Sequence, residues 1–425
     1  MNQDIQSLYQ FVLRQMVADA YLENVVSLSD QQIFDALIQG NNRFVPDPIT
    51  GGVTRFTKVQ ADEFLAKYYV VNQLSDNPSN GQPTVFNGIP LNSGFSATLI
   101  RERGTDNYTF AIRSTEIKPW SEGGDRERDV FGADWALAMD GFAWAQIDTM
   151  EKYYSWLKSS GTLPLGARLD VTGYSLGGHL ATVEAAVEHG ARLSAHGARL
   201  LDVGGESTRP SAAPVPAAEE IARVVPVIAA LARRGLGPVS VDTRKAQVAQ
   251  AALDAGAAAV NDVSGLAFDP ALAGVVAAAG AGLIVMHMRG TPDTMDSLAQ
   301  YRGGHVAPEV AAELGDAVAR AEAAEVAKDR IAVDPGLGFA KTAVQNFRLL
   351  DELATIVALG YPVAVGPSRK RFLGSATGRP VADRDRATAV ACALAWERGA
   401  RLFRVHDVAL TREALTLASA TTNPT

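Results

Sequence analysis

Six polar side chains, each at the end of a short apolar run, carry most of the chemistry this sequence can offer. Asp242 closes Val239-Ser240-Val241, Asn261 follows Ala259-Val260, and Asp334 closes Ile331-Ala332-Val333. Two carboxylates and an amide supply hydrogen-bond acceptors and a donor for a polar ligand. Lys370, in Gly366-Pro367-Ser368-Arg369-Lys370, and Arg404 and His406, after Leu402-Phe403, add cationic or donor groups. Arg404 and His406 alternate with Val405, so a strand would point both the same way, beside the start of the next helix, where an anion is readily held. Three of the six also have a plain structural reading. Asp242 would cap a helix beginning at Thr243-Arg244-Lys245, Asp334 would turn the chain before Pro335-Gly336, and Arg404 would pair with Asp407. Recurrence of the pattern at strand end after strand end weighs against taking each alone.

The elements that must position these groups are legible around them. Leu200-Leu201-Asp202-Val203 stops at Gly204-Gly205 and is followed at once by Glu206, Ser207, Thr208 and Arg209. Leu283 to Met286 ends in His287-Met288-Arg289, and Val363 to Val365 ends in the lysine-bearing loop. Such short, nearly continuous apolar runs are expected of strands buried on both faces. Between them lie Ala-rich amphipathic stretches of helical length, at 216–234, 244–255, 306–327 and 384–398. Regular alternation of strand and helix predicts a parallel α/β architecture with right-handed crossovers. In a closed barrel of this kind the working groups gather on loops after the carboxyl ends of the strands.

Seven strings in this order, LLDVGGESTRP, SVDT, NDVSG, MHMRGTP, DPGLGFAKT, GPSRKRFLG and RVHD, make residues from about 179 to 425 resemble dihydropteroate synthase, the folate-pathway enzyme. The resemblance implies a TIM (β/α)8 barrel. It implies a transferase that joins the amino group of p-aminobenzoate to the methylene of a dihydropterin pyrophosphate and expels pyrophosphate. Asp242, Asn261, Asp334 and Lys370 would hold the pterin, while Arg404 and His406 would take the pyrophosphate with Mg2+. Thr208 and Arg209 match a loop that orders pyrophosphate and aminobenzoate, and Ser368, Phe339 and Pro210 match the lining of the aminobenzoate pocket. Catalysis would rest on Asp242, Lys370, Arg404 and His406. By the same resemblance Asp170 stands where the family carries a metal-binding asparagine, in a first loop that is two residues short, so turnover is expected to be weak. A homodimer is the oligomer the resemblance admits.

Residues before about 178 differ in kind. Of the 30 aromatic residues, 22 precede position 180, whereas the later part is rich in Ala, Val and Gly. Leu169-Asp170-Val171-Thr172 reads as a strand, and Gly173-Tyr174-Ser175-Leu176-Gly177 fits the nucleophile elbow G-x-S-x-G, followed by a helix. Tyr108 to Thr115 reads as another strand and Trp144 to Leu157 as an amphipathic helix. This part resembles the front half of a bacterial lipase of the α/β-hydrolase fold. The fold needs an acid and a histidine after the serine, and none of the histidines from His179 onward has a lipase-like context, so a serine esterase using Ser175 is the second reading after the synthase, and an inactive fusion the third. The expected division is an incomplete hydrolase-like segment over 1–165 and a barrel over 166–425. In the barrel reading the strand ending at Thr172 serves as the first barrel strand, because a seven-stranded ring would leave two unpaired edges.

Composition narrows the remaining classes. A net charge of -8 and the absence of a basic stripe argue against nucleic acid as a partner. No run approaches the roughly 18 apolar residues of a membrane span. The opening MNQDIQSLYQF lacks a charged and apolar leader, so a cytoplasmic protein is expected. The single cysteine, Cys392, sits in an apolar stretch and reads as a core residue.

Overall fold

The computed structural model of the chain describes residues 10, 13–14, 29–39, 56, 58–75, 84–86, 89–91, 95–112, 144–172, 176–208, 212 and 214–422. The chain forms two compact units, Met1–Glu188 and His189–Thr425.

In the first unit, α1 (Asp30–Gln39), α2 (Lys58–Lys67) and α3 (Trp144–Ser159) accompany six strands. These are β1 (Tyr68–Ser75), β2 (Thr84–Phe86), β3 (Ile89–Leu91), β4 (Ser96–Glu102), β5 (Asn107–Ile112) and β6 (Arg168–Thr172). Strands β2 and β3 pair only with each other, and the main sheet has the order β1-β4-β5-β6. Because β4 and β5 are apolar on both faces, both faces are covered. Ile100 and Ala111 pack with Leu13, Ile33, Leu37, Phe56, Phe64 and Tyr68. Phe110, which points the other way, meets Tyr153 and Tyr154 of α3 at ring-centroid distances of 5.9 and 5.8 Å.

The second unit is built on seven parallel strands: β7 (Leu201–Gly204), β8 (Val239–Asp242), β9 (Ala259–Asp262), β10 (Gly282–Met286), β11 (Ile331–Asp334), β12 (Val363–Val365) and β13 (Ala400–Phe403). They lie in strict sequence order across the sheet. The crossovers include α5 (Ala217–Arg233), α6 (Ala246–Asp254), α7 (Leu272–Ala279), α8 (Val306–Ala323), α9 (Ala343–Asp351) and α12 (Asp385–Glu397), and α13 (Val408–Thr422) closes the unit. Between α9 and α12 come the short α10 (Ala354–Val357) and α11 (Arg371–Thr377), and α4 (Leu176–Ala195) leads into β7. The sheet is strongly curled. Arg404, just after β13 at one edge, donates through Nε to Asp202 in β7 at the other edge, 2.5 Å away. This is the curl of a TIM barrel, with seven strands in the hydrogen-bonded sheet among the described residues.

Strand β6 does not complete that barrel. It pairs in parallel with β5, from Asn107 opposite Arg168 to Ala111 opposite Thr172, and is the edge of the first sheet. The expectation that the run ending at Thr172 becomes the first barrel strand is therefore overturned. The physical reason is local connectivity: β5, α3 and β6 form a crossover unit, in which the helix returns the chain beside the strand it left. With β6 held there, the two compact units divide after Glu188. Cys392 is buried in α12, and burial pushes its thiol up to about 12, as befits a core residue.

Leu283 lies in the middle strand of the seven and is almost fully buried. Leu283→Ala is expected to lower stability by about 2–5 kcal/mol through lost burial and a residual cavity, read as a reduced midpoint in chemical denaturation.

Candidate active site

The polar groups at the carboxyl ends of the barrel strands meet around Asp202. Its carboxylate accepts from the Ser240 hydroxyl at 2.6 Å, from Asn261 Nδ2 at 3.2 Å and from Arg404 Nε at 2.5 Å. Arg404 also donates through Nη2 to Asp242 Oδ2 at 2.6 Å, so one guanidinium serves two carboxylates on adjacent strands. Burial pushes the Asp242 carboxyl up to about 7, and the negative charge of Asp202 adds to the rise while Arg404 opposes it. A carboxyl with this pKa exchanges its proton near neutrality and can donate or accept to a ring edge.

A second group forms at the ends of β11 and β12. Asp334 is buried; burial raises its pKa, opposed by the Gly336 N–H, which donates to Oδ1 at 2.8 Å, and then by Lys370. Lys370 is pulled down to about 8 by burial, against the pull of Asp334. Its ammonium stands 3.9 Å from the centre of the Phe339 ring. Two backbone features explain why these residues meet. Gly336 has φ +69, and a Cβ there would lie 2.0 Å from the His287 carbonyl oxygen, so the turn after Asp334 admits only glycine. Arg369, at φ 55, sends its guanidinium to both oxygens of Asp385 at 2.8 and 2.7 Å, which leaves the next residue, Lys370, turned to the site.

Ser368 and His406 form a third contact, with the hydroxyl 2.6 Å from Nδ1. Strand β13 ends at Phe403, so strand alternation does not govern the residues beyond it. Arg404 turns to the two aspartates and His406 to Ser368, and the shared direction expected for Arg404 and His406 is not what brings them to the site. Thr208 is half-buried at the end of the described part of its loop, and Arg209 and Pro210 lie outside the described residues. Asp170 belongs to β6 in the first sheet, where its carboxylate pairs with Arg14 at 3.4 Å. Ser175 lies outside the described residues.

Residues to which the sequence assigned no role in the site complete the picture. Asp202 was legible only as part of a motif, and its role as hub needs Arg404, 202 positions away. Buried Lys341 contacts His287, which in turn meets Glu313. Glu206 is held below the usual carboxylate range: burial would raise it, but the Val215 N–H, Lys245 and Arg244 outweigh that. It ties the two ends of the loop after β7, from its own position to Val215 at 2.9 Å.

A curled parallel sheet with carboxylates, an amide and cations on successive strand ends defines an α/β-barrel enzyme with a site for a polar, anionic ligand. Residues 166–406 match the model of the family described as pterin binding enzyme, and the chain belongs to that family. The dihydropteroate synthase of Mycobacterium leprae is 46% identical over 256 residues, which is 58% of this chain and 88% of the relative. That of Escherichia coli K12 is 37% identical over 248 residues, 58% and 87% of the two chains. Among solved structures, Xanthomonas albilineans dihydropteroate synthase with 4-aminobenzoic acid superposes with a TM-score of 0.54 at 44% identity, covering 57% of this chain and 86% of that one. The Anaplasma phagocytophilum dihydropteroate synthase with bound 6-hydroxymethylpterin-monophosphate gives 0.54 at 33% identity, covering 56% and 94%.

Arg404→Gln removes the cation that lowers Asp242, so the Asp242 carboxyl is expected to titrate above about 7, read from its 13C shift. The sign for stability follows. A carboxyl raised above its unfolded value of 3.8 stabilises below that pH and loses the contribution as pH rises through its folded value. The decline in stability from about pH 4 toward 7 should therefore extend to higher pH in the variant.

Proposed function

We propose that the chain is a dihydropteroate synthase, a transferase of folate biosynthesis that condenses 6-hydroxymethyl-7,8-dihydropterin pyrophosphate with p-aminobenzoate. The observation that carries this reading is the gathering of Asp202, Asp242, Asn261 and Arg404 on one set of strand ends, with Asp334 and Lys370 on the next, in a chain of the pterin binding family. Bound 4-aminobenzoic acid and 6-hydroxymethylpterin-monophosphate in the two related structures are the substrate classes it implies.

On this reading Asp242, Asn261 and Asp334 accept from and donate to the pterin ring edge, and Lys370 donates to a ring acceptor. Arg404, His406, Thr208 and Arg209 receive the pyrophosphate. Ser368, Phe339 and Pro210 line the place of p-aminobenzoate. The amine nitrogen bonds to the methylene carbon as the carbon–oxygen bond to pyrophosphate breaks, and the amine then loses a proton. Positive charge at the methylene is spread into the pterin ring, and the leaving group is met by fixed cations rather than by a nucleophile. Arg404 spends two of its five N–H donors on Asp202 and Asp242, so a ligand anion shares the guanidinium with them.

Magnesium is the cofactor the resemblance implies. Among the described residues no three His, Cys, Asp or Glu side chains form a group that could hold a metal ion. Asp202 and Asp242 are both engaged by Arg404, and Asp170 is paired with Arg14 in the other sheet. The donor set does not fit a resident ion, and a cation that reaches the site would arrive as part of the pyrophosphate substrate. We further propose that turnover is slow, because β6 and the residue expected to bind metal serve the first sheet.

The first unit is proposed to be an incomplete α/β-hydrolase-like segment, supported by the succession β5, α3, β6 and α4 around the G-x-S-x-G sequence. No helix is long and apolar enough to cross a membrane among the described residues. A cytoplasmic location fits this reading. A homodimer is proposed through α12 and α13, where Val390 (59% exposed), Leu394 (40%) and Leu417 (66%) present apolar side chains.

Purified full-length chain is expected to form dihydropteroate and release pyrophosphate, and to restore growth of a synthase-deficient host. Asp334→Ala and Lys370→Ala should each lower kcat/KM about tenfold to hundredfold, the usual scale for a lost charged hydrogen bond. Ser175→Ala should leave synthesis intact, whereas ester hydrolysis abolished by that change and indifferent to Lys370→Ala would establish the esterase reading instead.

A further inference from the structure

The loop that joins β11 to α9 carries Asp334 at its start and Phe339 near its end, and between them Gly336 and Gly338 both have positive φ. A backbone with two such glycines is intrinsically permissive. It is nevertheless held, and one buried side chain holds it at two points. Lys341 Nζ donates to the Gly336 carbonyl at 3.1 Å, to the Phe339 carbonyl at 2.9 Å and to His287 Nδ1 at 2.9 Å. As an ammonium Lys341 has three N–H donors, and all three are used; burial pulls its pKa down to about 7, against the pull of Asp334. With Nδ1 accepting from lysine, the proton of the neutral imidazole sits on Nε2 and donates to Glu313 Oε2 at 3.0 Å. Arg289 pairs with Glu309 at 2.8 Å and with Glu313, which fixes the far end of the chain of contacts. His287 follows β10 directly, so the loop is tied to the neighbouring strand end.

We infer that Lys341 is a positioning residue for the pterin side of the site. Its hydrogen bonds clamp the loop from Asp334 to Phe339 onto His287, and the clamped loop sets the Phe339 ring under the Lys370 ammonium. Lys341 itself has its three donors occupied and meets no substrate; it acts through Phe339, Lys370 and Asp334. Gly338 marks how close the fit is, because a Cβ there would lie 2.8 Å from Lys370 Cδ. The inference rests on the synthase reading for the nature of its ligand.

The test uses the full chain and the affinity for 6-hydroxymethylpterin-monophosphate by titration calorimetry, with thermal unfolding recorded for every variant. Lys341→Met keeps the apolar stem and removes the donors. It is expected to weaken pterin binding by about tenfold or more, the equivalent of a lost charged hydrogen bond, at a temperature where the protein is folded. The loss should enter steady-state turnover through KM for the pterin substrate more than through kcat. His287→Gln keeps an acceptor for Lys341 and should recover most of the affinity lost in His287→Leu. A purely structural lysine would lower the unfolding temperature and leave Kd and KM where they are, and that result overturns the inference alone. Should Lys341→Met fail to fold, equal Kd values for the two His287 variants overturn it. Wild-type chain that neither binds the pterin nor forms dihydropteroate overturns the synthase reading, and this inference with it.

Discussion

One guanidinium joins the two edges of the barrel unit. Arg404 lies just beyond the last strand and bonds to Asp202 in the first strand of the sheet and to Asp242 in the second. A parallel sheet of seven strands cannot close its backbone ladder where an eighth is wanted, so side chains must hold the two edges near each other at the mouth. The same contact sets the electrostatics. Two carboxylates on adjacent strands repel, one guanidinium reconciles them, and burial leaves Asp242 poised near 7. The contact between the two edges and the recognition of a ligand anion thus draw on the same guanidinium.

The other end of the chain shows how connectivity decides between two equivalent partners. The residues of β6 would serve a barrel as well as a hydrolase sheet, being short, partly apolar and followed by a helix. What settles the matter is α3, whose Tyr153 and Tyr154 pack on Phe110 of β5 and so deliver the chain beside that strand. The loss falls on the barrel, whose ladder among the described residues has seven strands, and Asp170 pairs with Arg14 in the first sheet.

Much of the barrel was legible because its strands are buried on both faces. Such strands read as continuous apolar runs, and the abrupt change to Asp242, Asn261 or Asp334 marks the end of each. Legibility stopped where contacts join distant positions of similar local character. Nothing near Asp202 says that Arg404 will reach it, and Leu169-Asp170-Val171 carries no mark of which sheet it will join. His287 and Lys341 were hidden for another reason: each sits inside a string notable for other residues, and the hydrogen bond between them spans 54 positions. The alternation that linked Arg404 with His406 failed because the strand stops at Phe403, one residue too soon.

The seam between β7 and β13 has a consequence for the protein's behaviour in crowded solution. Each of these strands has a ladder partner on one side only among the described residues, and an edge of that kind can template the addition of a foreign strand. Both are four residues long, which leaves an intruder few amides and carbonyls to engage. The brevity of the two strands therefore acts as a guard against clumping, at the place where the ring is left unjoined.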